Sequence, residues 1–349
     1  MTDEIIARKT GSIGRITLNR PKALNALNQP MVDALLATLT AWRDDADVKA
    51  VVVDGEGEKG FCAGGDIRML AESGQDGGDA AWTFWRDEYR LNTLIQEYPK
   101  PYVALIDGIT MGGGVGISVH GSHRVAGDRT MLAMPETGIG FHPDVGGAYF
   151  LPRLRGETGA WMGLTGARLK TADCLAAGVA THYVPSQNMV SMVAALESET
   201  LDDDGEALEA ILERFAGDPG ESDLALTQPL IDAAFAGDDL DEIEKRLEDA
   251  GDSWSKKQLS ILKSKSPTAC QVTLAALRKG ADLEFRDVMV QDLRVSMRFL
   301  DEGSDFYEGV RAVILDKDNA PDWNPGISRE EAERWFRPLG EGREQTFLD

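Results

Sequence analysis

Three glycines in a row, Gly112-Gly113-Gly114, stand just beyond a run that reads as a buried strand, Tyr102 to Ile106. They limit what the chain can fold into. A strand that gives way to glycines and then to a helix of small residues exposes backbone N–H groups at a helix start, and these favour a negative or developing negative oxygen. That is half of an oxyanion hole. The stretch runs on to Leu154 and carries two carboxylates, Glu136 in Met134-Pro135-Glu136-Thr137 and Asp144 in His142-Pro143-Asp144-Val145-Gly146-Gly147. Both sit among apolar and glycine residues, where an acid is costly to desolvate unless something uses it. The expectation is that amides polarise a carbonyl while the carboxylates do the proton or nucleophile work.

Phe61-Cys62-Ala63-Gly64-Gly65-Asp66-Ile67 repeats the arrangement: a strand, small residues, then a helix start that the Asp66 carboxylate can cap. A tight turn needing glycine backbone angles is the plain reading of that motif alone. Two such elbows, at Gly65 and Gly113, favour the functional reading, because an oxyanion hole takes two converging donors. A third carboxylate, Glu88, falls on the apolar face of a helix over Trp82 to Tyr98, beside Phe84, Leu91, Ile95 and Tyr98. It is either paired structurally or held toward a pocket.

The rest of the chain alternates strand and helix. Ile5 to Ala7 and Ile13 to Leu18 read as strands joined across Gly11; a helix starts near Asn28 and Pro30; Ala50 to Val53 is a short apolar strand ending at Asp54-Gly55. Gln75 to Asp79 reads as a loop. Helix signals follow at Glu157 to Leu164 and Thr171 to Ala177, then a strand at Thr181 to Val184. This is an α/β pattern with crossover connections. Composition shifts at Ser198 to Asp223, which is strongly acidic. Leu224 to Leu300 is nearly all helical pattern, with a break at Ser266-Pro267; a helix starts again at Asp305, and an irregular tail begins at Trp323. The expected organisation is a core over 1–197 that carries the active site and a mainly helical region over 198–349 packed on it.

A net charge of −23 disfavours nucleic acid and anionic membrane as partners, although a local basic pocket can still accept a phosphate. Cys62, Cys174 and Cys270 are far apart, odd in number and without metal-ligand spacing, so they read as reduced thiols of a cytoplasmic protein, and no metal is expected. Cys62 packs as a small apolar residue. The first residues carry no basic region followed by an apolar run, and nothing later is long enough to span a bilayer. His120, His123, His142 and His182 lack partner spacing and read as packing, surface or turn residues. Trp82 and Trp85 read as core or interface.

With these motifs in hand, the chain resembles the crotonase (enoyl-CoA hydratase/isomerase) superfamily, and within it the 3-hydroxyisobutyryl-CoA hydrolase branch. The family resemblance rests on Asn19-Arg20-Pro21 with Ala23-Leu24-Asn25-Ala26-Leu27, on FCAGGDI and on GITMGGGVGIS; the branch rests on MPETGIGFHPDVGGAYFLPRL, FWRDEYRLN, Ser266-Pro267-Thr268 and DFYEGVRAVILDKD. It implies a crotonase-like spiral of repeated ββα units with a helical C-terminal region, and a coenzyme A thioester as substrate, with no separate cofactor. It places the oxyanion hole on the N–H groups of Gly65 and Gly113, and coenzyme A contacts on Lys22, Ala23, Leu24, Ala63, Asp66 and Ile67. Substrate-binding and catalytic positions fall on Glu88, Gly113, Glu136 and Asp144. A homo-oligomer, such as a trimer, is also implied.

One departure separates the chain from hydratases. Those it resembles use two glutamates, one shortly after the glycine run, and here that position is Gly116. Water addition wants an acid and a base together on the substrate, so the loss argues against hydration. The resemblance to the hydrolase branch implies hydrolysis of a short 3-hydroxyacyl-CoA thioester, 3-hydroxyisobutyryl-CoA first, as in valine catabolism. An enoyl-CoA hydratase or isomerase, or a non-catalytic acyl-CoA binding protein, are the alternatives.

Overall fold

The computed structural model describes residues 2–203 and 205–348. Two sheets are wound together by one repeating path. Strands β1 (Ile5–Thr10), β2 (Ile13–Leu18), β3 (Ala50–Gly55), β5 (Tyr102–Leu105), β7 (His123–Ala126) and β10 (His182–Tyr183) form the first, in the order β1-β2-β3-β5-β7-β10. The second is β4 (Gly60–Cys62), β6 (Ile109–Met111), β8 (Met131–Ala133) and β9 (Leu169–Lys170), in the order β4-β6-β8-β9. The turns that begin at β3, β5 and β7 each visit one strand of the first sheet, then one of the second, then a helical segment. β3 and β4 lead to α1's neighbour α2 (Ile67–Gln75), where α1 is Gln29–Arg43; β5 and β6 lead to α4 (Gly113–Val119), with α3 (Asp79–Gln96) between the turns. The glycine run therefore follows a second short strand, β6, and not the Tyr102 strand directly.

The parallel strands of the first sheet are covered on both faces, which is why Val51-Val52-Val53 and Tyr102 to Ile106 read as unbroken apolar runs. One face joins the main core with Ile16, Val51, Val53 and Ala104. The other, with Ile13, Val52, Val103 and Val125, is covered by α8 (Ser186–Ser198) and α9 (Glu206–Phe215). Before α8 in the chain, α5 (Gly147–Phe150), α6 (Thr158–Thr165) and α7 (Thr171–Ala176) add buried residues to the main core.

Five helices follow: α10 (Asp223–Phe235), α11 (Leu240–Ala250), α12 (Ser253–Lys263), α13 (Pro267–Gly280) and α14 (Phe285–Arg298). Ser266 caps α13 by accepting from the Ala269 N–H, with Pro267 at the first helical position, so the break expected there is real. Val272 and Leu274 of α13 and Leu293 and Val295 of α14 belong to the same apolar core as the spiral. Next come α15 (Asp305–Val310) and one π-helical turn, Arg311–Leu315. The tail is not wholly irregular. Ser328 and Glu331 form a reciprocal capping box that starts α16 (Arg329–Ala332), a local signal the reading of the sequence passed over.

Candidate active site

The register of the second sheet assembles the site. β4 and β6 run parallel with Cys62 opposite Thr110, and β6 and β8 with Met111 opposite Ala133. Three carboxyl ends therefore stand side by side, and the chain leaves them as the Gly65 elbow, the Gly113 elbow and the Pro135-Glu136 turn. Outside the carboxyl ends of parallel strands is where open α/β sheets place ligands.

The glycines allow the elbows to touch. A Cβ on Gly114 would lie 2.1 Å from the Cys62 carbonyl oxygen, and one on Gly64 would lie 3.9 Å from the Gly113 nitrogen. Gly112 has φ of +47°, a left-handed conformation that opens α4 at Gly113. Among the described residues, the Gly65 and Gly113 N–H groups have no backbone acceptor, while the neighbouring Asp66 N–H donates to Leu27 at 2.9 Å and Val115 N–H to Gly112 at 2.8 Å. Two free amides on adjoining elbows suit one oxygen that gains charge.

Around them stand the three carboxylates. Glu136 begins the 3-10 turn Glu136–Ile139, and its Oε1 lies 3.1 Å from where a Gly112 Cβ would be; Glu88 Oε1, from α3, lies 2.5 Å from a Gly113 Cβ position. Glu88, Glu136 and Asp144 are 2%, 5% and 6% exposed, so all three are desolvated. Glu88 Oε1 and Glu136 Oε2 are buried without any hydrogen-bond partner. Burial first, and the Asp144 charge second, hold the Glu88 and Glu136 carboxyls well above the usual carboxylate range. Asp144 is pushed up to about 7 by burial, against the Tyr89 hydroxyl, which donates to its Oδ2 at 2.7 Å and pulls the other way.

The loops that carry these acids are tied down. The Thr137 hydroxyl donates to the Leu164 carbonyl at 3.1 Å, and its own carbonyl accepts from Ser266 N–H at 3.1 Å, pinning the Glu136 turn to α6 and the start of α13. After Asp144 the backbone takes φ of +49° at Val145, strained for a β-branched residue. His120 Nε2 donates to the Val145 carbonyl at 2.7 Å, and Gly146 N–H donates to Asp292 Oδ2 of α14 at 2.8 Å, which hold that turn in place.

The two elbows and the three carboxylates line one cavity of about 500 Å³ with Ala63, Ile67, Phe84, Trp85 and Phe141. Arg168 and Lys265 line it too, and neither has an ion pair among the described residues. Burial lowers the Lys265 pKa. Of the expected coenzyme A contacts, Ala63 and Ile67 are on this wall. Lys22 and Leu24 line a shallower depression beside Glu56 to Gly60, and Asp66 is engaged as the α2 cap and as a 3.1 Å partner of Arg20. Ala23 ends the 3-10 turn Pro21–Ala23 next to them.

Gly116 has no room to be anything else. A Cβ there would meet Val145 Cβ at 2.7 Å and Asn92 Nδ2 at 3.0 Å, so the place of a second glutamate is filled by other side chains. Cys62, Cys174 and Cys270 are free and buried, and burial pushes each thiol up to about 12. No group of His, Cys, Asp and Glu among the described residues is placed to hold a metal ion. Trp85 stacks on Phe141 with ring centres 5.5 Å apart, and the Trp82 indole N–H donates to the Arg343 carbonyl. His123 and His182 share Glu209, away from the cavity. Reasoning from the sequence missed Tyr89, Asp292, Ser296, Arg168 and Lys265. Tyr89 adjoins Glu88 and was within reach of that reasoning; the others had no local signal.

Comparison with known proteins finds relatives over nearly the whole chain. A family model described as enoyl-CoA hydratase/isomerase matches residues 13–337. The mitochondrial 3-hydroxyisobutyryl-CoA hydrolase of Danio rerio is 44% identical over 97% of this chain and 90% of its own length, and that of Homo sapiens 41% identical over 97% and 89%. Among solved structures, a carnitinyl-CoA dehydratase from Mycobacterium thermoresistibile superposes with a TM-score of 0.91 at 38% identity, covering 99% of both chains. An enoyl-CoA hydratase from Rhodobacter sphaeroides 2.4.1 superposes with a TM-score of 0.88 at 40% identity, covering 99% of this chain and all of its own.

Proposed function

Because the chain belongs to the enoyl-CoA hydratase/isomerase family, we propose that it puts that family's fold to thioester hydrolysis, releasing coenzyme A from a short 3-hydroxyacyl ester, 3-hydroxyisobutyryl-CoA first. The observation that carries this reading is the Glu136 carboxylate set against the glycine elbow, with no space at Gly116 for a second glutamate. The relatives named as hydrolases support the same choice.

In the proposed reaction the thioester carbonyl oxygen sits between the Gly65 and Gly113 N–H groups, which stabilise the charge it gains when the carbon is attacked. Glu136 supplies the attack in one of two ways. It attacks directly, breaking the C–S bond, expelling the coenzyme A thiolate and giving an enzyme-bound anhydride that water then hydrolyses, or it takes a proton from the water that attacks the carbon and expels the thiolate. The thiolate leaves as the thiol once protonated. Asp144 and Glu88 hold the 3-hydroxyl; a site built to bond a hydroxyl rejects analogues that lack it. The unpaired Arg168 and Lys265 supply positive charge for the phosphates of coenzyme A in an otherwise acidic protein. Ala63 and Ile67 contact the pantetheine side. The substrate serves as its own carrier of coenzyme A, so no further cofactor is invoked. No helix among the described residues is long and apolar enough to cross a membrane, and we place the protein in the cytoplasm on its three free thiols, while the relatives above are named as mitochondrial.

Hydration is the second reading, favoured by the two solved structures named as a dehydratase and a hydratase. The two part cleanly in one assay. Free thiol should appear when 3-hydroxyisobutyryl-CoA is added, while crotonyl-CoA should keep its double-bond absorbance. Loss of that absorbance without thiol release would overturn the hydrolase reading.

A further inference from the structure

Behind Asp144 lies a line of buried polar groups that no step above uses. The Tyr89 hydroxyl is 2.7 Å from Asp144 Oδ2 and 2.7 Å from Ser296 Oγ, and Ser296 Oγ is 2.9 Å from His142 Nε2. All four side chains are buried. His142 is walled by Phe141 and by Phe299, which stacks on it at 5.6 Å between ring centres, and its Nδ1 is buried without a partner.

We infer that Tyr89, Ser296 and His142 are positioning residues: a one-directional chain of donors ending on Asp144 Oδ2 that fixes how this carboxylate faces and favours its ionised form. The inference rests on the hydrolase reading only for what Asp144 does in turnover. The direction follows from valence. An ionised carboxylate only accepts, so the Tyr89 proton points to Asp144; the Ser296 proton then points to the Tyr89 oxygen, and His142 donates from Nε2 to Ser296. That leaves His142 Nδ1 as a bare lone pair, the group whose burial without a partner costs least. A protonated Asp144 that donated to Tyr89 would turn every bond round and require an N–H at Nδ1 with no acceptor, a penalised arrangement. Burial keeps the imidazole neutral, lowered to about 3, so the chain carries no charge of its own.

The chain opposes its surroundings. Asp144 is faced by Glu88 and Tyr89 from α3, by Glu136 from the 3-10 turn, by Asp292 and Ser296 from α14, and by His142 from its own loop, and no cation pairs with any of these acids among the described residues. Burial pushes Asp144 toward the neutral form, and Asp144 in turn raises Glu88 and Glu136; the Tyr89 hydroxyl, with a backbone hydrogen bond, pulls Asp144 back. Two members of the support, Ser296 and Asp292, come from α14, more than 140 residues beyond the turn they hold.

Two measurements test this on the full-length protein. Nitrogen-15 NMR of labelled histidine, with the His142 signal assigned by its loss in His142→Asn, should show the Nε2–H tautomer in the wild type and loss of that strong preference in Ser296→Ala. The pH profile of coenzyme A release should have its Asp144-dependent limb moved upward by about one unit in Tyr89→Phe and by less in Ser296→Ala, with the plateau rate retained, while Ser296→Thr restores the wild-type limb. A wild-type Nδ1–H tautomer, or variants that lose rate equally at every pH with the limb unmoved, would overturn the inference. If the wild type releases no coenzyme A, the hydrolase reading fails, and the tautomer alone still decides whether the chain exists.

Discussion

Of the cavities lined by charged side chains, two treat those charges in opposite ways. The smaller, of about 260 Å³ against the outer side of the first sheet, holds Arg15, Asp54, Asp107, Arg129 and Glu197. There Arg15 donates to Asp54 at 2.9 Å and to Glu197 at 3.0 Å, and Arg129 donates to Asp107 at 3.1 Å. The larger holds Glu88, Glu136, Asp144, Arg168 and Lys265, and no ion pair joins any two of them among the described residues. Burial with a partner is ordinary structure, whereas burial without one raises the energy of the folded state unless a ligand answers it. The unanswered charge, more than the size of either hollow, distinguishes the site.

The sharpest way to break this contrast is at Glu136. Glu136→Gln should lower the rate of thiol release by about 10³-fold, because a glutamine neither attacks nor takes a proton. The wild-type rate should climb with pH above the usual carboxylate range, since burial holds the carboxyl well above that range and it works only once ionised. A variant with turnover intact would move the chemistry elsewhere.

Stability separates the cavities next. Asp144 is pushed up to about 7 from 3.8, so the folded protein binds its proton more tightly than the unfolded chain does. Its contribution is therefore most favourable below about pH 4 and is lost as pH rises through 7. Asp144→Asn should accordingly be more stable than the wild type by roughly 2–4 kcal/mol at pH 8 in urea denaturation, with the gap closing toward pH 4. A gap independent of pH would mean the acid is not desolvated as described. Replacing Arg168 and Lys265 together with alanine should raise KM for the coenzyme A ester about tenfold, or ~1.4 kcal/mol, and leave the matching pantetheine ester unaffected. The smallest effect belongs to the paired cavity: Arg15→Met should lose about 1 kcal/mol of stability with turnover unchanged, and high salt should narrow the loss.

What the sequence made legible was local. The glycine elbows, the Ser266-Pro267 break and the embedding of Glu136 and Asp144 among apolar residues each announce themselves within about ten positions, and the elbows and both acids line one cavity. Glu88 reads from the sequence as either a structural pair or a pocket acid, and among the described residues it has no ion pair and its Oε1 is buried without a partner. What stayed hidden depends on tertiary approach. Ser296 and Asp292 look like any polar residue of an amphipathic helix until α14 is laid against α3, and Arg168 and Lys265 are two cations among 36. Lys22 and Leu24 show the opposite limit: their motif is clear, yet their depression is separate from the cavity that holds the acids.

The clamp that α14 places on the Asp144 turn has a consequence for biosynthesis. A ribosome releases the glycine elbows and all three acids long before it reaches Asp292 and Ser296, so the nascent polypeptide cannot close this pocket until α14, more than 140 residues beyond the Asp144 turn, has been translated. Shortened products that stop earlier would expose their acids to water, and would be inert by construction.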